Sequence, residues 1–170
     1  LVTLDWSAVG SLPKKTSASD EWDDAPPGTN RLDADKLKAS AFVLAPGSRH
    51  VVIGFENGVI CLFDLLSKQV TQTISDAHSS ALRSLILTGD RGVLSGGSDQ
   101  RVGFWNFDLA LVPGGSPTLC LKPGRPVETV ADQVTALAAT PDNRLIAVGM
   151  VNFHVDVFFA DSFKVNSPCY

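Results

Sequence analysis

Apolar residues in this chain come in short runs separated by polar turns, and the same order of runs and turns occurs three times. The segments "FVLAPGSRHVVIGFENGVICLFD", "LILTGDRGVLSGGSDQRVGFWN" and "LAATPDNRLIAVGMVNFHVDVFF" each hold an apolar run, a polar turn and a short apolar run ending in Gly. A second turn and a run ending in an aromatic follow. Gly54, Gly96 and Gly149 precede Phe63, Trp105 and Phe158 by the same nine positions. One such spacing is chance; three keep a register.

The runs are rich in Val, Ile, Phe and Leu and bounded by Gly, Pro, Asp and Asn, and no segment carries a helical stripe over ten or more residues, so they read as strands. The first repeat predicts strands over Ala39 to Leu44, His50 to Gly54, Val59 to Asp64 and Gln69 to Ile74. The second predicts Ala81 to Leu87, Gly92 to Gly96, Arg101 to Asn106 and an outer strand near Val127 to Val130. The third predicts Gln133 to Ala139, Leu145 to Gly149, His154 to Phe159 and a strand beginning at Phe163. Runs such as "VVIG" and "VICLF" are apolar on both faces, as a sheet stacked between two neighbours requires.

The repeat period is 42 residues from Phe63 to Trp105 and 53 from Trp105 to Phe158, the excess falling in "LVPGGSPTLCLKPGRP". About 40 to 45 residues with four short strands is the period of a WD-type propeller blade. The expected fold is all-β, a WD-repeat β-propeller fragment of about three four-stranded blades plus part of a preceding blade. Residues 37–76, 77–131 and 132–170 are the expected blades, the second with a Gly/Pro-rich insertion at 111–126 and the third expected to be incomplete. Residues 13–36, "PKKTSASDEWDDAPPGTNRLDADK", hold too little apolar content to fold alone and are expected to form a mobile surface insertion. Residues 1–12 are the expected remnant of the preceding blade.

With 170 residues, 44% of them hydrophobic and 19% charged, the chain is globular in composition. A formal net charge of -4 argues against a broad surface for nucleic acid, which needs clustered Lys and Arg. Cys61, Cys120 and Cys169 form no CxxC pair, so neither zinc nor a disulfide framework is suggested and a reducing compartment fits. There is no N-x-S/T acceptor, no apolar run near twenty residues and no basic-then-apolar leader, so a soluble, intracellular chain without a membrane role is expected. The chain opens on Leu1 rather than Met, and is expected to be part of something longer.

Ser95, Asp99 and His78 lie close in sequence and raise the question of a hydrolytic triad. In WD-repeat blades, which these segments resemble, a His before the first strand, a Ser or Thr on the second, an Asp in the next turn and a Trp ending the third form a buried hydrogen-bond chain. The matching positions are His78, Ser95, Asp99 and Trp105. The chemistry suits such a chain: an indole only donates, a hydroxyl does both, a neutral imidazole has one of each and a carboxylate accepts. "LSGGS" around Ser95 is not the GxSxG of a nucleophile elbow. The structural reading is therefore preferred. The other two repeats carry only Asn57 with Phe63 and Asn152 with Phe158, and must rely more on packing.

"GFENG" and "SGGSDQ" lack the Lys-Ser/Thr of a phosphate loop and read as strand turns. "DEWDD" reads as a solvated charge run, and neither His50 nor His154 has a second ligand at metal spacing. Arg49, Arg101 and Arg144 lie in or beside turns. Arg83 is singled out as a candidate partner contact beside the loop that enters the second blade.

Beyond the generic repeat, "VVIGFENGVICLFDL", "DAHSSALRSL", "GGSDQRVGFWNFDL" and "RLIAVGMVNFHVDVFFADSFKV" resemble, in order and spacing, a section of the nucleolar WD-repeat proteins of the UTP-B group, the Dip-two/Utp-twelve-like family. The likeness covers Leu37 to Val165, with DAH in place of the common GH and Phe-Phe-Ala-Asp in place of Trp-Asp. The departures are residues 13–36 and the short turn "TGDRG" before Val93. That resemblance implies two tandem propellers, a helical C-terminal region outside this chain, and a nucleolar scaffold in the small-subunit processome that processes pre-18S rRNA. It implies no catalysis and no cofactor, other UTP-B subunits as partners, and mostly indirect contact with pre-rRNA and snoRNA. A different WD-propeller adaptor, such as a ubiquitin-ligase substrate receptor or signalling scaffold, is the alternative. Three blades do not close a ring, so the fragment alone is expected to be marginally stable or to self-associate.

Overall fold

The structure is a computed structural model and describes residues 38–89, 91–111 and 117–169. Twelve strands make three antiparallel sheets. The first holds β1 (Ala39–Leu44), β2 (His50–Phe55), β3 (Ile60–Asp64) and β4 (Gln69–Ile74); the second holds β5 (Leu82–Thr88), β6 (Gly92–Gly97), β7 (Arg101–Ala110) and β8 (Thr118–Thr129). The third holds β9 (Val134–Ala139), β10 (Leu145–Met150), β11 (Val155–Phe159) and β12 (Val165–Cys169). Each is a meander in chain order, and the described residues contain no helix.

The repeat seen in the sequence is a repeat of pairing. Gly54 faces Ile60, Gly96 faces Val102 and Gly149 faces Val155, while Val51, Val93 and Ile146 face Phe63, Trp105 and Phe158. Each first strand slips register at the same place, leaving Ser40, Arg83 and Thr135 as the extra residue. Such bulges sharpen twist, and here they fall at the same position in all three sheets.

The first strands pack on one another, β1 against β5 and β5 against β9, so the sheets stack like blades around a common inner edge. Two apolar layers fill the gaps. Val52, Ile60 and Leu62 of the first sheet meet Leu82, Leu85, Val93 and Trp105 of the second. Leu94 and Val102 of the second sheet meet Val134, Leu137, Ile146, Val148 and Phe158 of the third. A further cluster of Val51, Ile53, Cys61 and Phe63 lies on the other face of the first sheet.

This stacking explains the repeated glycine. A Cβ on Gly54 would collide with the Leu82 side chain, and one on Gly96 would lie 2.5 Å from Val134 Cγ1, each contact coming from the first strand of the following sheet. At Gly149 a Cβ would meet nothing closer than 3.5 Å. The third sheet accordingly has an open face. Val155 is 41% exposed, whereas its equivalents Ile60 and Val102 are both 0% exposed.

Two strand assignments need correction. The outer strand of the second sheet is not confined to the neighbourhood of Val127 to Val130: β8 begins at Thr118 and takes in most of the expected insertion at 111–126. It does so because β7 runs past Trp105 to Ala110 and supplies a partner for the extra length. Pro123 and Pro126 are tolerated because β8 is the last strand of its sheet. The Gln72 carboxamide covers part of that edge, its Nε2 donating to Leu121 O at 2.8 Å and its Oε1 accepting from Leu121 N at 2.7 Å. In the third sheet the fourth strand starts at Val165 rather than Phe163. Phe163 is a turn residue whose ring is buried in stacking on Phe158, centroids 4.2 Å apart. The expected blade remnant at 1–12 and the insertion at 13–36 lie outside the described residues.

Replacing Gly96 by Ala is expected to lower the stability of the 170-residue chain by about 1–3 kcal/mol, the usual penalty of overpacking. Replacing Gly149 by Ala should change it by less than about 0.5 kcal/mol. Urea midpoints of the two variants decide, and equal losses would refute the stacking account.

Candidate functional site

The second sheet holds the densest polar chemistry among the described residues. Ser95 sits in the middle of β6, every residue of which is buried. Asp99 lies in the tight turn to β7, where Gln100 takes φ 62°. His78 comes from the loop between β4 and β5, held by its own N–H on Gly58 O at 3.1 Å. Gly58 has φ +83° and a Cβ there would strike His78 O, so only glycine lets the first sheet's turn lie against this loop.

The four side chains form one chain of hydrogen bonds. Trp105 Nε1 donates to Ser95 Oγ at 2.8 Å, Ser95 Oγ lies 2.8 Å from His78 Nε2, and His78 Nδ1 lies 2.9 Å from Asp99 Oδ1. The indole can only donate, so the serine hydroxyl is left to donate to Nε2 and the Nδ1 proton to face Asp99. The second carboxylate oxygen accepts from Ser79 N at 2.9 Å. Burial alone would raise the Asp99 pKa, but the bonds from His78 and Ser79 outweigh it and hold the carboxyl below its ordinary value.

Asp99, His78 and Ser95 therefore have the connectivity of a hydrolytic triad, and access separates the two readings. Ser95 is 0% exposed and its oxygen is already engaged by the indole. A nucleophile needs an open approach to a substrate carbon. None is present at this oxygen.

Two glycines not singled out in the sequence complete the arrangement. A Cβ on Gly97 would lie 2.5 Å from both Asp99 Oδ1 and His78 Nδ1, and one on Gly103 would lie 2.6 Å from Ser95 Oγ. Both leave room for the polar chain. The doubled glycine in "SGGSDQRVG" is the signal that could have pointed to them.

The other sheets solve the same positions differently. Asn57 and Asn152 close their turns locally, accepting from Val59 N at 3.3 Å and His154 N at 3.1 Å. The first sheet adds an ion pair that sequence reasoning missed. Arg49 Nε and Nη2 donate to Asp64 Oδ1 and Oδ2 at 3.2 and 2.8 Å, and Leu66 N donates to Oδ1 at 2.9 Å. The guanidinium holds the Asp64 carboxyl far below its usual range. His50, paired across the hairpin with Asp64, is buried, and that burial lowers its pKa against the pull of the Asp64 charge.

Arg83 occupies the bulge of β5, exposed, with its Nε donating to Ser98 Oγ at 3.0 Å. Arg101, Arg144 and His154 are exposed. No group of three His, Cys, Asp or Glu side chains is placed to hold a metal among the described residues. "DEWDD" lies outside them. No helix among them is long and apolar enough to cross a membrane.

No protein-family model matches the chain. Individual proteins do. Saccharomyces cerevisiae U3 small nucleolar RNA-associated protein 12 is 38% identical over 132 residues, 74% of this chain and 14% of that protein. Homo sapiens WD repeat-containing protein 3 is 37% identical over 121 residues, covering 70% of this chain and 13% of its own length. The Dictyostelium discoideum WD repeat-containing protein 3 homolog is 37% identical over 131 residues, 75% and 14%. The chain belongs to this WD-repeat family. It spans about one seventh of the length of these relatives, and within that span it contributes three WD-type blades.

Replacing Asp99 by Asn is expected to destabilise this WD-repeat segment by about 1–3 kcal/mol, since the His78 and Ser79 donors lose a charged acceptor. A carboxyl with a depressed pKa stabilises the fold above the ordinary carboxylate range, and that contribution is lost as pH falls through and below it. The wild-type urea midpoint should therefore drop between about pH 5 and pH 3, and Asp99→Asn should drop less. The residual fall belongs to the other carboxyls held below their ordinary range, Asp64, Asp108 and Asp142. An unchanged acid slope in Asp99→Asn would overturn the assignment.

Proposed function

We propose that this segment is part of a non-catalytic protein-interaction scaffold of ribosome biogenesis, acting in the nucleolus within the small-subunit processome. The observation that carries the reading is the identity, over about three quarters of the chain, to a protein named for its association with U3 small nucleolar RNA. The sealed Ser95 supports the non-catalytic part of it, because the one triad-like constellation of the described residues is committed to holding a blade together. His78, Ser95, Asp99 and Trp105 are then a structural tetrad. The expected partners are protein subunits of the UTP-B group, with pre-rRNA and snoRNA contacted mostly through them, in keeping with a net charge of -4. Arg83, exposed beside the loop that carries His78, is the residue proposed to contact a protein partner.

Affinity purification of the tagged full-length protein from nuclear extract tests this. Recovery of UTP-B subunits together with precursor ribosomal RNA is expected. Recovery of ligase or signalling components without that RNA would overturn the function and leave the blades standing.

The open face of the third sheet leads to a second expectation, for the 170-residue chain alone. Leu145, Ala147 and Val155 present apolar surface at positions that the other two sheets bury, and the exposed Phe159 adjoins it; such surface drives association. Light scattering should show concentration-dependent self-association that Val155→Asp weakens. A monodisperse monomer at all concentrations would refute it.

A further inference from the structure

Arg125, on β8, is the polar residue of the fold least provided for. Its Cζ lies 3.5 Å from the centroid of the Phe104 ring and 5.3 Å from that of Phe163. Nη1 donates to Ala160 O at 2.9 Å and Asp161 O at 3.2 Å. Nε and Nη2 are buried and have no hydrogen-bond partner among the described residues. These two nitrogens form the same edge that Arg49 uses to clamp the Asp64 carboxylate. A guanidinium matches a planar two-oxygen acceptor through that edge, and buried unpaired donors are unfavourable until one is found.

The residue also lines a cleft of about 770 Å³ between the second and third sheets. Leu94, Phe104 and Ile146 are among its apolar lining, and Asn106, Asn143 and Asp161 among its polar lining. We propose that this cleft binds an extended segment of a partner protein, and that one Asp or Glu carboxylate of the segment takes both free N–H groups of Arg125. Presenting that edge to the cleft requires a turn of the guanidinium that gives up the Nη1 bonds to Ala160 O and Asp161 O, so the partner's carboxylate has to replace two backbone acceptors. The two Asn carboxamides are suited to peptide groups. A phosphodiester strand fits less well than a segment with a single carboxylate, because Asp142 and Asp161 line the same cleft and repel an anion in proportion to its charge.

The test uses the purified full-length protein and a library of fluorescein-labelled heptapeptides with a central Glu flanked by Val, Leu, Phe, Asn and Ser. Fluorescence anisotropy should find members that bind saturably, with matched Gln peptides weaker by about tenfold or more. Arg125→Lys, which keeps the charge and loses the fork, should weaken them by a similar factor. Asp161→Trp, which narrows the cleft and leaves Arg125 in place, should do the same should Arg125→Lys prove poorly folded. Equal binding of Glu and Gln peptides, no binding by any member, or insensitivity to Arg125→Lys in a folded variant would overturn the proposal. Arg125-dependent binding of a labelled decauridylate in place of the peptides would also overturn it, in favour of a phosphate ligand.

Discussion

β2 and β6 are buried along their whole length on both faces, and that burial is the constraint from which the rest of the structure follows. A four-stranded sheet has no way to hide two apolar faces by itself. The second sheet lies between the other two, and the repeat is the device that makes successive sheets fit. Gly54 and Gly96 open the space into which Leu82 and Val134 of the next sheet are received. The bulges at Ser40, Arg83 and Thr135 impose the same local twist each time, so one stacking geometry serves every interface.

Polar groups drawn into such a stack have to be satisfied within it, since desolvated donors and acceptors are unfavourable when unpaired. The second sheet does this with the chain from Trp105 to Asp99, and the first with the Arg49 clamp on Asp64. The two devices lie in different places. The tetrad ties the loop entering the sheet to the turn between β6 and β7, while the clamp joins the start of β2 to the end of β3. The third sheet, with Phe158 and Phe159 at the end of its third strand, has neither. It depends on aromatic packing instead, Phe158 stacked on Phe163 and Phe163 edge-on to Phe104 at 5.3 Å.

What was legible in the sequence is what short-range pairing dictates. The nine-residue step from glycine to aromatic is two strands and a tight turn, so its repetition carried the sheets and most strand limits. His78, Ser95, Asp99 and Trp105 could be grouped because the WD resemblance supplies their adjacency, and the structure brings those same four into contact. Contacts between sheets were not legible. Gly97 and Gly103 matter for the side chains that crowd them, Gln72 reaches β8 from another sheet, and Arg125 meets Phe104 only because β8 is longer than the repeat suggests. The prolines and glycines of 111–126 read as a loop because they usually interrupt strands. An outer strand, with one edge unpaired, tolerates them.

The division between what repeats and what does not bears on how such a segment would serve the proposed scaffold. Residues that keep the register face neighbouring sheets and are consumed by stacking, so they are poor places to encode a partner. Under the proposed scaffold role, specific recognition would fall to positions where the repeats differ: the bulge side chain at Arg83 where the others have Ser40 and Thr135, and the lengthened β7–β8 hairpin with Arg125. Both belong to the second sheet, the one whose interior is most heavily hydrogen-bonded. A sheet fixed by a buried polar chain constrains its rim and outer strand, and preorganisation at the points of difference would let the proposed scaffold discriminate among partners without ordering itself on binding.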